Sequence, residues 1–353
     1  MERVLKRLPL HKLMDLKVDY AFKQLFGNDK NKHIMIIFLN AILNRQGEES
    51  IQDITFINSE FTAEHRDDKE SRLDILATTN KNERVNIEIQ FNNRYDMVKR
   101  SLYYWAGIYR EPMKESMGYK ELKPVILINL VNFNLFDEIE KFQTTYHLLE
   151  DEDHFQLTDV LEMHFLEMPK LITDWKRGKL NPRDSILARW LLLLGVVDKK
   201  NQKIYEDIFN ELEDIAMSDE NLQEAFQDWE KLSEDKNKWF EYEARLKVVL
   251  DDLAAVREAE LRYEEALQKG LEDGMKQGHE KGLEEGRKKG LQEGRQEGRQ
   301  EGRQEGRQEG RKKGQQESQR QIAKRMIEKG MDNETVAELT GLTVEELAAI
   351  ADV

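Results

Sequence analysis

Two carboxylates, Asp74 and Glu88, stand at a spacing that suits adjacent strands, and Gln90 follows two positions beyond the second. A short strand is expected over Leu73–Thr78 and another over Val85–Phe91, joined by the turn-forming run Thr79, Asn80, Lys81, Asn82 and Glu83. In the second strand Val85, Ile87, Ile89 and Phe91 alternate with Asn86, Glu88 and Gln90. This two-residue period puts Glu88 and Gln90 on one face and the apolar set on the other. Neighbouring strands thus bring both acids to one sheet edge. Such a pair can hold a hard divalent cation, magnesium above all, and leave water positions open on it. Phosphodiester cleavage needs what that ion supplies: charge stabilisation at the phosphate and a nucleophilic water. Gln90 can orient the water or touch the phosphate but cannot act as a cationic base. Spacing alone is also compatible with two ordinary outward acids on solvated strands.

Composition narrows the alternatives. The chain has no cysteine, which excludes disulfides and thiolate metal sites and leaves carboxylates and seven histidines as ligands. His33, His65, His147, His154 and His164 lack the clustered spacing of a zinc site. The net charge of -15 speaks against a polyanionic partner only in bulk. Residues 1–150 carry 22 Lys and Arg against 23 Asp and Glu, whereas residues 198–265 carry 10 against 21, so the acidity sits outside the segment that bears the acid pair. No stretch approaches the roughly 20 apolar residues of a membrane span, and Met1–Pro9 has basic residues without an apolar run. A cytoplasmic protein without membrane contact is expected.

The elements around the acids read as a mixed sheet flanked by helices, an α/β class. Helices are expected over Asp15–Gly27, His33–Asn44 and Tyr95–Glu111, a strand region over Ile51–Phe61, a loop over Glu64–Ser71, and a buried strand over Val125–Phe133. Lys23 and Arg100, on flanking helices, are either phosphate contacts or surface charges, while Tyr103, Tyr104 and Trp105 read as core packing. Beyond Asp137, Thr145–Leu149 and Leu161–Leu166 are peripheral strands or loops, and Ser185–Val197 is a strongly apolar helix.

From Gly270 to Gly314 glycine recurs at every fourth position, twelve times, with arginine and glutamate stripes beside it. This reads either as a long charged helix pairing with a second copy or as a flexible spacer. In the last residues Gln321–Lys329, Asn333–Thr340 and Thr343–Ile350 form short helices separated by Gly330 and Gly341, a helix-turn-helix or a small docking unit. The last helix carries Glu345 and Glu346 and no arginine, which argues against base reading by it. The expected division is 1–140, 141–197, 198–268, 269–320 and 321–353.

Several segments resemble a known family. Asp19-Tyr20-Ala21-Phe22-Lys23 with Phe26-Gly27, Phe38 to Leu43, Leu73-Asp74-Ile75, Asn86 to Gln90, Arg100 with Tyr103 and Tyr104, and Gly118-Tyr119 followed by Pro124 to Ile128 occur in order over residues 13–136. Together they are similar to the Rpn-like recombination-promoting nucleases and putative transposases of the PD-(D/E)xK superfamily. The resemblance implies a restriction-endonuclease-like core and a prokaryotic, magnesium-dependent DNA endonuclease linked to recombination or mobile elements. Nucleoid association when bound to DNA would follow. It also implies that Asp19 completes the site of Asp74 and Glu88. Gln90 stands where the wider superfamily has lysine, and the family commonly has glutamine there. A non-catalytic oligomerising adaptor on a relic nuclease fold and a strand-transferring transposase are the alternatives.

Overall fold

The computed structural model describes residues 8–57, 60–61, 71–72, 74–91 and 96–351. The loop expected over Glu64–Ser71 lies almost wholly outside these residues, as do His65, Leu73 and Tyr95. The chain divides into two compact units, Met1–Glu260 and Leu261–Val353.

The first unit opens with α1 (Asp19–Phe26) and α2 (Lys32–Ile42). The strands β1 (Ile54–Ile57), β2 (Glu60–Phe61), β3 (Ser71–Arg72), β4 (Ile75–Thr79) and β5 (Arg84–Gln90) follow. After α3 (Met97–Arg110) come β6 (Val125–Val131), β7 (Gln143–His147), β8 (Leu161–Glu167), α4 (Met168–Lys176) and α5 (Ile186–Gly195). The pair β9 (Val197–Asp198) and β10 (Lys203–Ile204), then α6 (Glu206–Ala216), α7 (Glu220–Glu234) and α8 (Lys236–Glu328), continue the chain.

Six strands form one sheet in the order β1-β4-β5-β6-β8-β7. β5, β6 and β8 run parallel, and β4 is antiparallel to β5. The turn expected between β4 and β5 is a tight one: Thr79 Oγ1 accepts from the backbone N–H groups of Lys81 and Glu83, and Asn82 takes φ +60°. Alternation splits the sheet cleanly. Ile75, Ala77, Val85, Ile87, Ile89, Ile126 and Ile128 face a core shared with α1, α2, α5, α6 and α7. Leu76, Leu127, Val131, Met163 and Phe165 face α3, whose buried Met97, Ser101, Tyr104 and Ile108 fall at the three- and four-residue spacing of one helix face.

The structure corrects three expectations. Leu161–Leu166 is not peripheral, because β8 lies between β6 and β7 and all but one of its residues is buried. The sheet therefore runs past residue 140, where the first unit was expected to end. Asp15–Val18 is not helical: its turn is built on the Asp15 carboxylate and on partners from distant elements. The Asp15 N–H donates to Tyr242 Oη at 2.8 Å, and its carboxylate accepts from the N–H groups of Lys17 and Lys199 at 2.9 Å each. Tyr103, finally, is exposed at 55%, although its neighbour Tyr104 is buried as expected.

Lys17 is buried too, ion-paired to Asp15 at 2.9 Å and donating to the carbonyls of Leu194 and Val197. Cutting one member out of a buried pair leaves the other charge without compensation, which costs about 3–5 kcal/mol. Lys17→Ala is therefore expected to destabilise the protein by about that amount, and Asp15→Asn with Lys17→Met by much less. Chemical denaturation of the three proteins checks this, and a loss below about 1 kcal/mol in Lys17→Ala would sink it.

In the second unit α8 continues without a break to Glu328, so the separate helix expected over Gln321–Lys329 is its last stretch. The glycines do not interrupt it, and the first left-handed residue after the repeat is Gly330, at φ +87°. Then come α9 (Asn333–Thr340), capped by Asp332, and α10 (Val344–Ala351). Gly341 turns the chain between them at φ +69°. The capping box read from the sequence is present: Thr343 N–H donates to Glu346 Oε2 at 2.9 Å, and Glu346 N–H to Thr343 Oγ1 at 3.3 Å. Ala323, Val336 and Leu347 form the small core that holds these helices together. Among the described residues no helix is long and apolar enough to cross a membrane.

Candidate active site

Strand register brings the two acids together. β4 pairs with β5 as Ile75↔Ile87 and Leu76↔Asn86, which sets position 74 opposite position 88 on the face toward α3. Asp74 itself stands at a bend just before β4 rather than inside a strand. Its carboxylate replaces ladder pairing there: Oδ2 accepts from the Ile89 N–H at 2.9 Å, and the Asp74 N–H donates to Glu88 Oε1 at 3.2 Å. Lys23 reaches Asp74 Oδ1 at 3.5 Å from α1. Asp19, one helical turn before Lys23 on the same face, is near enough to act on Asp74 electrostatically.

Glu88 is 1% exposed. One of its oxygens is occupied by the Asp74 N–H and, at 3.4 Å, by Asn86 Nδ2. The other, Oε2, has no hydrogen-bond partner among the described residues, and the nearest cation, Arg100, stands 3.6 Å away. Burial first, and the neighbouring Asp74 second, push the Glu88 carboxyl up to about 8 against the pull of Arg100. Burial raises Asp74 as well, opposed by Lys23 and the Ile89 N–H and reinforced by Asp19. Two buried acids whose carboxyls are raised despite Lys23 and Arg100 nearby make a place where a further positive charge is favoured. An unsatisfied carboxylate oxygen and hard donors fit a divalent cation, with water or phosphate oxygens completing its shell. Asp74 and Glu88 are the two acids that would hold such an ion, and among the described residues no group of three or more His, Asp or Glu side chains is placed to do so.

Gln90 lies on the same face, and its Oε1 accepts from Arg100 at 2.9 Å. Arg100 also donates through Nε to Tyr104 Oη at 2.9 Å. Behind Glu88, Asn129 occupies the facing register position on β6, accepts from Ser101 Oγ at 2.9 Å and donates to the His164 carbonyl. The structure thus gathers Asp74, Glu88, Gln90, Lys23 and Arg100 at one place, with Asp19 at its margin. Asn129 and Ser101 escaped the sequence reading, and Tyr104 was read there only as core packing and as part of the family resemblance. An asparagine inside the apolar run Val125–Val131 was the signal that could have found one of them.

Comparison with known proteins agrees with this geometry. Residues 16–259 match the family described as PD-(D/E)XK nuclease family transposase, nearly the whole of the first unit. Residues 316–352 match the C-terminal HTH domain of the Rpn/YhgA-like nuclease family, over the end of α8, α9 and α10. No curated protein and no solved structure gave a significant match. A mixed sheet that places an acid before one strand and a second acid within the next, together with both matched segments, makes the chain a member of the Rpn-like PD-(D/E)XK nuclease family.

Proposed function

We propose that the protein is a magnesium-dependent DNA endonuclease that acts in recombination or on mobile elements. The observation that carries the reading is the convergence of Asp74 and Glu88, with Glu88 Oε2 buried and without a hydrogen-bond partner among the described residues. Magnesium, or another hard divalent cation, bound there would neutralise charge on the phosphate and supply a nucleophilic water at neutral pH. Asp74 is held by the Ile89 N–H and Glu88 by the Asp74 N–H, so the two carboxylates are positioned beside each other in advance. Lys23 and Arg100 flank the acids, where they meet a phosphate held at the site, and Asp19 supports the acids from α1. The terminal helix-turn-helix supplies a second DNA contact, and α8 pairs with a second copy.

Supercoiled plasmid incubated with the purified full chain tests this. Nicking is expected with magnesium, none with EDTA, and none with Asp74→Ala. Intact plasmid under every divalent ion tried, or full nicking by Asp74→Ala, would overturn the reading.

A further inference from the structure

We propose that Arg100 is the residue that grips the scissile phosphate, and that Gln90 and Tyr104 are its positioning residues. The inference rests on the nuclease reading above. A phosphodiester approaching Asp74 and Glu88 meets two acids, with Asp19 close by, so an anion can enter only against a fixed positive charge. Arg100 is fixed. Its Nε donates to Tyr104 Oη, one helical turn on, its NH1 donates to Gln90 Oε1, and the guanidinium carbon lies 5.1 Å from the Tyr104 ring centre.

The third nitrogen decides between two roles. A guanidinium serving only to neutralise a buried carboxylate closes on it in a fork at about 2.7–2.9 Å. Here NH2 stays 3.6 Å from Glu88 Oε2, and the side chain keeps 25% of its surface exposed. Two hydrogen bonds use two of the five N–H donors, which leaves the planar fork able to take a phosphate.

Glutamine at position 90 then has a reason. Its amide oxygen is an acceptor that aims the arginine, whereas a lysine there would offer only donors and a like charge. The positive charge that many related sites carry on the strand is, in this chain, carried one layer out on α3.

The test uses the full chain and four variants: Arg100→Gln, Arg100→Lys, Gln90→Lys and the double Gln90→Lys with Arg100→Gln. Arg100→Gln is expected to lower kcat by about 10²–10³-fold, the effect of removing one fixed charge-stabilising donor. Its KM, and its affinity for intact DNA in EDTA measured by fluorescence anisotropy, should stay within about three-fold, because outer phosphate contacts set those. Arg100→Lys should recover part of kcat. Gln90→Lys alone should lose activity, since two cations then compete for one place. The double variant moves the charge from helix to strand and should exceed Arg100→Gln by about ten-fold or more. Wild-type kcat in Arg100→Gln, a loss confined to DNA affinity, or a double variant no better than Arg100→Gln would each overturn the proposal. Absence of Asp74-dependent cleavage by the wild-type chain would instead remove the nuclease reading itself, and it is visible before any variant is compared.

Discussion

Glu88→Gln is expected to abolish cleavage and, in the same molecule, to stabilise the metal-free protein in alkaline solution. The first half follows from the site: an amide is a poor ligand for a hard cation, and a loss of about a thousand-fold or more is the scale for such a change. The second half follows from burial. In the folded protein the Glu88 carboxyl is pushed up to about 8, whereas in the unfolded chain it titrates near 4.5. Below the unfolded value both states hold the proton and nothing is lost. Between the two values the native state keeps a proton that the unfolded chain has released, so stability falls as pH rises. The slope is about 1.4 kcal/mol per pH unit at most, and sharing of protons with Asp74 reduces the total to about 2–4 kcal/mol by pH 8. Glutamine never ionises and escapes this loss. Melting temperatures in EDTA should therefore coincide near pH 4 and separate progressively between about pH 5 and pH 8, with the variant the more stable. Added magnesium should raise the wild type alone, since binding to the native state stabilises it. Parallel melting of the two proteins from pH 5 to pH 9 would mean that Glu88 is not the buried acid described here.

The second large effect concerns the repeat in α8. A Cβ built on any glycine from Gly270 to Gly314 meets nothing within 4 Å, so no contact inside the chain calls for glycine there. Each costs about 0.8–1.0 kcal/mol of helix relative to alanine. A second helix approaching closely would supply the missing reason. Arginine follows glycine at Arg295, Arg299, Arg303, Arg307 and Arg311, and glutamate precedes it at Glu297, Glu301, Glu305 and Glu309. At about 100° per residue the two charges flank the glycine line on opposite sides. A parallel two-fold pair sets the arginine flank of one helix against the glutamate flank of the other, while an antiparallel pair sets like against like. A pair built on this face would therefore be parallel. A four-residue period exceeds 3.6, so the pair must wrap right-handed.

Gly298→Ala, Gly302→Ala, Gly306→Ala and Gly310→Ala combined should then have two opposite effects: helicity by circular dichroism rises, and the mass in sedimentation equilibrium falls from paired to single. The wild-type pair should weaken as salt rises, because its charge contacts are exposed. Retained pairing in the alanine variant, or a wild-type chain that sediments as a monomer at low salt, would rule the arrangement out.

Local pattern settled much of this protein. The alternation in Val85–Gln90 fixed which side chains share the face of Glu88, because strand geometry allows only two faces. Thr343 with Glu346 and the glycines at 330 and 341 fixed the terminal helices, since caps and left-handed turns depend on a few neighbouring residues. The segments over residues 13–136 pointed to the family that the comparisons identify. Other features were decided only in three dimensions. The run Leu161–Glu167 became an inner strand because β6 offered it a parallel partner, a choice made across some thirty residues of intervening chain. Asp15–Val18 stands outside the helix, where Tyr242 and Lys199, about two hundred residues away, hold the Asp15 N–H and carboxylate. The site divides in the same way. The sequence supplied Asp74 and Glu88 by type and spacing, but neither the burial of Glu88 Oε2 nor the contact of Arg100 with Gln90 is local. Both arise where α3 lies on the sheet, and the burial of the two carboxylates raises them above ordinary exposed acids.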